Sequence, residues 1–578
     1  MNVHIKNMNK CLALLTTSLA IFVNWNVLAT DVTSYRYGNS DQGANTNEST
    51  LSLDNVDPWD FGLKATVPIQ GQIYGAPLIK TINNKSLVFI ATQQNVVAAI
   101  NATNGAVVWS RTLTNYGTPV PSDDTGSGDI QPFIGICSTP VIDNWNWLYL
   151  ISKSKTNYGG MDHYVQAIYK INAATGAINS TYKFADTGFD GNNYYYRTNP
   201  SSGDPYVIGY GDGSIISTIP LASGRRILNV STNVVYFNSL RQMNRPGLTL
   251  VNGTVYAAFA SHGDNGPYHG WVLGFNTTSL ALNSVLNTTP NGGLAGSWQS
   301  GGCVASDSAG NLYLETGNGS FNGFQTNSRG IPIDANYGDC FLKISPDSST
   351  LTTPNPNGWG LKVADYFTPY NNQSINDADL DVGSCGPVVI SSGNKTFILG
   401  TGKDGSMYSM SSTNMGKFDP NTNHCLQTIN QAVGNGGEWT GFSTPSYLNN
   451  RFYYFAAGDY GRQFTYTNGL IGSWYTDGDG IVRTDVQTPN TYNWPGANTS
   501  ISANGNKSAI VWAIDRDASV LRAFRSTDLL EIWNSTMSQA DNLSNALKFT
   551  VPIVANGQVY VGTDGALFIY GLVPAARN

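Results

Sequence analysis

The chain has 578 residues, only 12% of them charged, with 62 glycines, 11% aromatics and a net charge of -7. That composition excludes a disordered or coiled-coil chain. Without a basic stripe it offers nothing to a nucleic-acid partner, and the acidity is what ordinary solubility requires.

Residues 1–29 read as an export signal. Lys6 and Lys10 form a positive start, 11–23 is mostly apolar, and Val27-Leu28-Ala29 suits cleavage before Thr30. The apolar run is too short to span a membrane, and no second one follows, so the mature chain is expected outside the cytoplasm, periplasmic or secreted, without a membrane span. Residues 30–57 are polar and rich in Asn, Ser and Asp, and are expected to be an extended lead-in. Residues 63–69 then read as a lone strand, whose expected role is to pair with the last strand of the chain and so remove exposed edges.

Eight small-residue openers follow, each running into an apolar strand: Gly75-Ala76-Pro77, Ser138-Thr139-Pro140, Pro246-Gly247-Leu248, Gly301-Gly302-Cys303, Gly386-Pro387-Val388, Ser443-Thr444-Pro445, Ile501-Ser502-Ala503 and Val551-Pro552-Ile553. A unit of this size cannot bury its apolar face alone. Eight such units arranged radially predict an all-β, eight-bladed propeller over residues 58–578, with a central channel as the natural ligand site. The first unit shows strands at 87–92 and 96–100, an Asn104-Gly105 turn and Trp109; the phrase returns as 523–533, ending at Trp533. Both tryptophans are expected to pack between blades. Uneven opener spacing places long loops at 187–242, 321–336, 355–381 and 475–497, and no helix longer than two turns is expected. Five cysteines remain after residue 29: Cys137, Cys303, Cys340, Cys385 and Cys425. In an oxidising compartment one or two disulfides are expected, with at least one thiol left over and the pairing open. No CxxCH haem site exists, and the cysteines are too scattered for zinc.

The turn Asn104-Gly105 leading to Trp109 resembles the tryptophan-docking repeat of the quinoprotein dehydrogenases, eight-bladed propellers that use pyrroloquinoline quinone (PQQ). Thr316-Gly317-Asn318-Gly319-Ser320 is similar to that family's motif whose Asn contacts calcium and cofactor; the resemblance makes Asn318 both. It makes Asp381, six residues before Pro387, the catalytic aspartate and a calcium ligand, and Lys403 the quinone-contacting lysine. Asp264, before Gly270-Trp271, stands where the family carries its acidic calcium ligand, and Trp298 near the ring that stacks on the cofactor, two residues further from Asn318 than in the family. Many alcohol-oxidising members carry two adjacent cysteines joined against the quinone; here only Cys137 is in that place.

These residue types suit an alcohol oxidation: a carboxylate to take the hydroxyl proton, oxygen donors for calcium and a cation near developing negative charge. The resemblance implies a small-molecule alcohol or sugar substrate and a separate electron acceptor. Each residue also suits a plain role. Asn318 lies in a Gly-Asn-Gly turn, Asp377, Asp379 and Asp381 are Asx-turn formers, Lys403 precedes Asp404-Gly405, and His262 and His269 suit loop packing. Two functions therefore stand: a PQQ- and calcium-dependent oxidoreductase, and a non-catalytic propeller that binds protein or glycan.

Overall fold

The computed structural model describes residues 30–198, 203–220, 229–300 and 302–574. The expected export signal and Gly301 of the fourth opener lie outside these residues. Strands alternate with tight turns from end to end, and the two α-helices among the described residues are short, Ser122–Thr125 and Asn372–Asp377.

Each opener leads into an antiparallel meander of four strands. The first strands are Leu78–Ile82, Val141–Ile142, Thr249–Val251, Ala305–Ser306, Val388–Ser392, Ser446–Leu448, Thr499–Asn504 and Ile553–Ala555; the meanders are called sheets 1 to 8 here. The seventh strand starts two residues earlier than its opener suggests. Sheets 3 and 4 also touch edge to edge, Val285 opposite Trp359. Strand Phe61–Gln72 pairs with Asp564–Leu572 and completes sheet 8, so the fourth strand of the last sheet comes from the start of the chain.

Period-two alternation places apolar residues on both faces. In strand Lys85–Ala91, Leu87 and Phe89 pack toward sheet 2 while Val88 and Ile90 pack toward sheet 8. The same division recurs at each interval. Separate buried clusters join sheets 2 and 3, 3 and 4, 4 and 5, 5 and 6, 6 and 7, and 7 and 8. Trp109 and Trp533 sit where expected. Trp109 packs on Gly176 of sheet 2 and donates Nε1–H to the Ala173 carbonyl at 2.9 Å. Trp533 is buried between sheets 7 and 8, edge-on to Phe61 at 4.9 Å.

The lead-in does more than extend. Val32 pairs with Ile79, and the Thr33 carbonyl accepts from Ile142 N–H. Asn39 donates to the Leu250 carbonyl and accepts from Ser306 N–H. The carbonyls of Ser40, Gln42 and Gly43 then accept from Val389, Tyr447 and Ile501, and Asn45 donates to the Val554 carbonyl. Residues 32–45 thus touch the first strands of sheets 1 to 8 in order. Arg36 and Asp41 pair at 3.1 Å with neither side chain exposed, and Asp41 accepts from Cys303 N–H.

Three loop expectations change. Residues 187–242 carry an added sheet of Tyr206–Ile208, Ile215–Pro220 and Asn229–Tyr236. Residues 355–381 include the long outer strand Gly358–Phe367, and 475–497 include Gln487–Tyr492, paired to sheet 6. Burial along Gly358–Phe367 and Gln487–Tyr492 follows no period-two alternation, so the sequence pattern does not announce these strands. The expected disulfides are absent: all five cysteines of the described residues are free. Cys303 packs between sheets 8 and 1, Cys340 between sheets 3 and 4 and Cys137 in a third cluster, as small buried hydrophobes.

Candidate active site

One open-mouthed cavity lies where the openers converge. Its wall is built from residues that precede successive sheets: Tyr74, Ile130, Arg245, Ser300, Ser384, Phe442, Trp494 and Phe549. The turns after the second strands add Asp264, Asn318 and Lys403. This is why residues far apart in sequence meet. Asp264, Trp298, Asn318, Asp381 and Lys403 all line this single cavity. Cys137 does not. It is buried behind the wall among Tyr74, Met243 and the edge of Trp298, and burial raises its thiol to about 11.

Asp381 is 2% exposed. Its Oδ2 meets Lys403 Nζ at 2.5 Å, while Oδ1 has no partner. Burial raises its carboxyl to about 6 against the pull of Lys403. Lys403 also donates to Asp379 Oδ1 at 2.7 Å, and its ammonium lies 4.8 Å from the centre of the Trp439 ring. Burial alone would lower the Lys403 pKa; the two carboxylates outweigh it and hold the group above its ordinary range. The lysine is locked by backbone as well, its N–H donating to the Asp381 carbonyl at 2.9 Å. Asp379 holds φ +54, a left-handed conformation that aspartate tolerates better than most residues.

Trp298 packs against Gly317. A Cβ there would sit 2.7 Å from the indole and 3.5 Å from Asp381 Cγ, so glycine in the Thr-Gly-Asn segment is a spacing requirement. Asn318 lines the cavity and donates from Nδ2 to the Asn376 carbonyl at 3.0 Å. Asp264 Oδ1 accepts from Tyr268 OH at 2.6 Å, and the Tyr268 ring meets Trp298 edge-on. His262 and His269 are packing residues. His262 meets Lys153 at 2.6 Å and His269 meets Thr289 and the Asp212 carbonyl.

The donor set at the cavity is oxygen, which suits a hard cation, and the unpartnered Asp381 Oδ1 is an orphaned atom that such an ion would satisfy. Among the described residues no group of three or more His, Cys, Asp or Glu is gathered for a metal; the fit depends on Asn318 as third donor.

Several residues at the site have no motif to announce them. Glu315 and Asp339 are fully buried, with no partner for any carboxylate oxygen. Burial first, then Asp381, pushes both carboxyls well above the usual range. Arg245, Lys548, Trp494 and Phe549 complete the wall. Their one sequence signal is position: Arg245 directly precedes an opener, and Phe549 stands two residues before another.

No family model matches the chain and no curated protein does. Among solved structures it is similar to the quinohaemoprotein alcohol dehydrogenase ADHIIG from Pseudomonas putida HK5, with TM-score 0.54 and 12% identity over 94% of this chain and 80% of that one. It is similar to a europium-containing methanol dehydrogenase, with TM-score 0.51 and 11% identity over 93% and 98% of the two chains. The quinohaemoprotein alcohol dehydrogenase of Comamonas testosteroni gives 0.50 and 11%, over 94% and 80%. At these identities the likeness shows the fold, a β-propeller.

Proposed function

We propose that the chain is an exported, quinoprotein-like oxidoreductase that oxidises an alcohol or sugar with PQQ and calcium and passes electrons to a separate acceptor. The observation that carries this reading is the meeting of Asp264, Trp298, Asn318, Asp381 and Lys403 on one cavity. The apolar, lysine-led start of the chain supports export, and among the described residues no helix is long and apolar enough to cross a membrane.

Asp264, Asn318 and Asp381 supply oxygens for calcium, and Trp298 offers a flat face for a planar ring system. PQQ, when bound, supplies the hydride acceptor. Asp381 takes the hydroxyl proton of the substrate on its carboxylate. Lys403 fixes that carboxylate by its second oxygen, so the base is oriented before substrate arrives. The same ammonium stands as a preorganised charge at the cavity.

The test is dye-linked oxidation of a panel of alcohols and aldoses after loading with PQQ and calcium. Asp381→Asn is expected to lower kcat by about 100-fold or more. Because the base must be ionised, the rate should fall at the acid end of the pH profile as Asp381 takes up a proton. Loaded wild type that turns over nothing, or a variant that keeps its rate, overturns the reading. The second function, a non-catalytic binder of protein or glycan, is favoured by Cys137, which stands alone and outside the cavity; failure of turnover with a specific ligand captured at the rim supports it.

A further inference from the structure

A second depression, a polar groove, opens beside the cavity. The segment Thr316–Ser320 serves both: Asn318 lines the cavity, and Gly319 and Ser320 line the groove. Two residues of chain span at most about 7 Å, so the two spaces are neighbours. The groove is firmly built. A Cβ on Gly292 would sit 2.3 Å from Ser320 Cβ, and one on Gly338 would sit 2.1 Å from the Gly319 carbonyl oxygen, so backbone presses on this segment from two sides. Asn376 ties it from a third, its Oδ1 accepting from Gly319 N–H at 2.7 Å. Leu294, which bridges to Gly319, holds φ +66, and Ala295 beside it holds +58. Left-handed backbone is strained in such residues and gathers where ligands are clamped.

The polar groups of the groove are only partly used. Asn376 Nδ2, Asn372 Oδ1 and Gln373 Oε1 have no partner among the described residues. Asn372 is nevertheless 7% exposed, its Nδ2 donating to the Gly338 carbonyl at 3.1 Å. The Ser320 hydroxyl accepts from Gly293 N–H at 3.1 Å and keeps its own proton free. Phe321, half-buried, meets Phe418 and Tyr366 edge to face and borders the same space. The one charged side chain of the groove is Asp334, whose two oxygens both accept from Asn336. Without a cation, the groove offers nothing to an anion. One engaged carboxylate falls short of the about six to eight oxygens that a hard cation takes. An apolar ligand would leave the amide atoms without partners. A neutral ligand rich in hydroxyls fits, because each hydroxyl both donates and accepts and the C–H face of a pyranose lies well on an aromatic ring. We propose that this groove is a saccharide subsite and that the substrate is a di- or oligosaccharide, with the ring to be oxidised in the cavity and the next ring in the groove at Phe321, Asn372 and Asn376. The cavity's part rests on the proposed oxidation; binding in the groove does not.

The test is titration calorimetry of the full chain with glucose, maltose, cellobiose and lactose, repeated in Asn376→Asp, Phe321→Leu and Gln373→Ala. At least one disaccharide should bind about tenfold or more tighter than glucose, and added salt should leave that preference unchanged because the ligand is uncharged. Asn376→Asp keeps the acceptor for Gly319 and loses the free donor; Phe321→Leu keeps apolar volume and loses the flat face. Each should bring the disaccharide down to the level of glucose. Gln373→Ala, at an exposed position, should lower the preference about threefold and leave glucose binding unchanged. No disaccharide preferred over glucose, or a preference that survives in both Asn376→Asp and Phe321→Leu, overturns the proposal. If neither of those variants folds, Gln373→Ala decides it: an unchanged preference there overturns it. In the PQQ- and calcium-loaded protein the preferred disaccharide should show a KM about tenfold below that of glucose at similar kcat, and Gln373→Ala should raise that KM alone. Turnover of glucose and disaccharides at equal KM keeps the oxidation and removes the subsite. A disaccharide preference in calorimetry without any turnover removes the oxidation and leaves the groove as a saccharide site.

Discussion

Glu315 ends the strand Leu312–Glu315 inside the hub, unexposed, with neither carboxylate oxygen paired. Burial pushes its carboxyl well above the usual range, and Asp381 and Asp41 push further. The folded chain therefore holds this proton while the unfolded chain releases it near pH 4.3. Above that pH the folded state binds more protons than the unfolded one, so stability is fullest below it and is lost as pH rises toward the folded pKa, by at most about 1.4 kcal/mol per pH unit. Glu315→Gln removes the linkage. Chemical denaturation at pH 5 and pH 8 should show the variant gaining on wild type at the higher pH; a constant difference would mean that Glu315 is ionised in the fold. At this scale the sequence was legible where a motif carries the residue. Asn318, Asp381 and Lys403 stand at fixed distances from an opener or a turn, and those distances survive folding as shared access to the cavity. Glu315, Asp339 and Arg245 were not legible, because an isolated charge in a strand, in a turn or beside a proline reads as a surface residue until burial is known. Cys137 was placed by analogy alone, and its side chain packs behind the wall.

The strand and turn units were the most legible part of the chain, since period-two alternation over both faces is what a sheet stacked between two others demands. Trp109 shows why. It stands on the outermost strand of sheet 1, where its neighbours Val107 and Val108 are about half exposed, yet it is 8% exposed itself because Gly176 of sheet 2 leaves room for the indole. Trp109→Ala should cost about 3–5 kcal/mol, the range for deleting a buried aromatic side chain. Trp109→Phe should cost less, retaining apolar area but leaving the Ala173 carbonyl without its donor. Guanidinium titration of the two variants checks this order, and equal losses would assign the whole effect to the hydrogen bond. The strands that sequence missed, such as Gly358–Phe367 and Gln487–Tyr492, have exposed or partly exposed positions along much of their length, so no alternation survives to announce them.

For the whole molecule, two connections hold distant parts of the chain together: strand Phe61–Gln72 in sheet 8, and the lead-in across sheets 1 to 8. The first was legible, because a strand without a hairpin partner must find one elsewhere. The second was not. Residues 30–57 lack apolar alternation, and their ordering comes from backbone carbonyls that accept from strand amides, from one buried ion pair, Arg36 with Asp41, and from Val32, Tyr35, Leu51 and Val56 packed into the core clusters. That arrangement makes a specific demand on the amides. Ser306, Val389, Tyr447 and Ile501 each donate to a lead-in carbonyl at 2.6–2.9 Å, and without the lead-in each would lose that acceptor. Removal of residues 30–57 should therefore speed hydrogen exchange at these four amides by orders of magnitude while central-strand amides such as Ile398 and Val511 stay protected, since local opening without global unfolding exposes only the groups that lost partners. Asp41→Ala is the milder version. It strands Arg36, which is 1% exposed, and loss of one partner of a buried pair costs about 3–5 kcal/mol. Faster exchange across all the sheets at once would show the lead-in to be part of one cooperative unit. Unchanged exchange at the four amides would show that these contacts do not order the hub, and that the sheets hold their places through the seams alone.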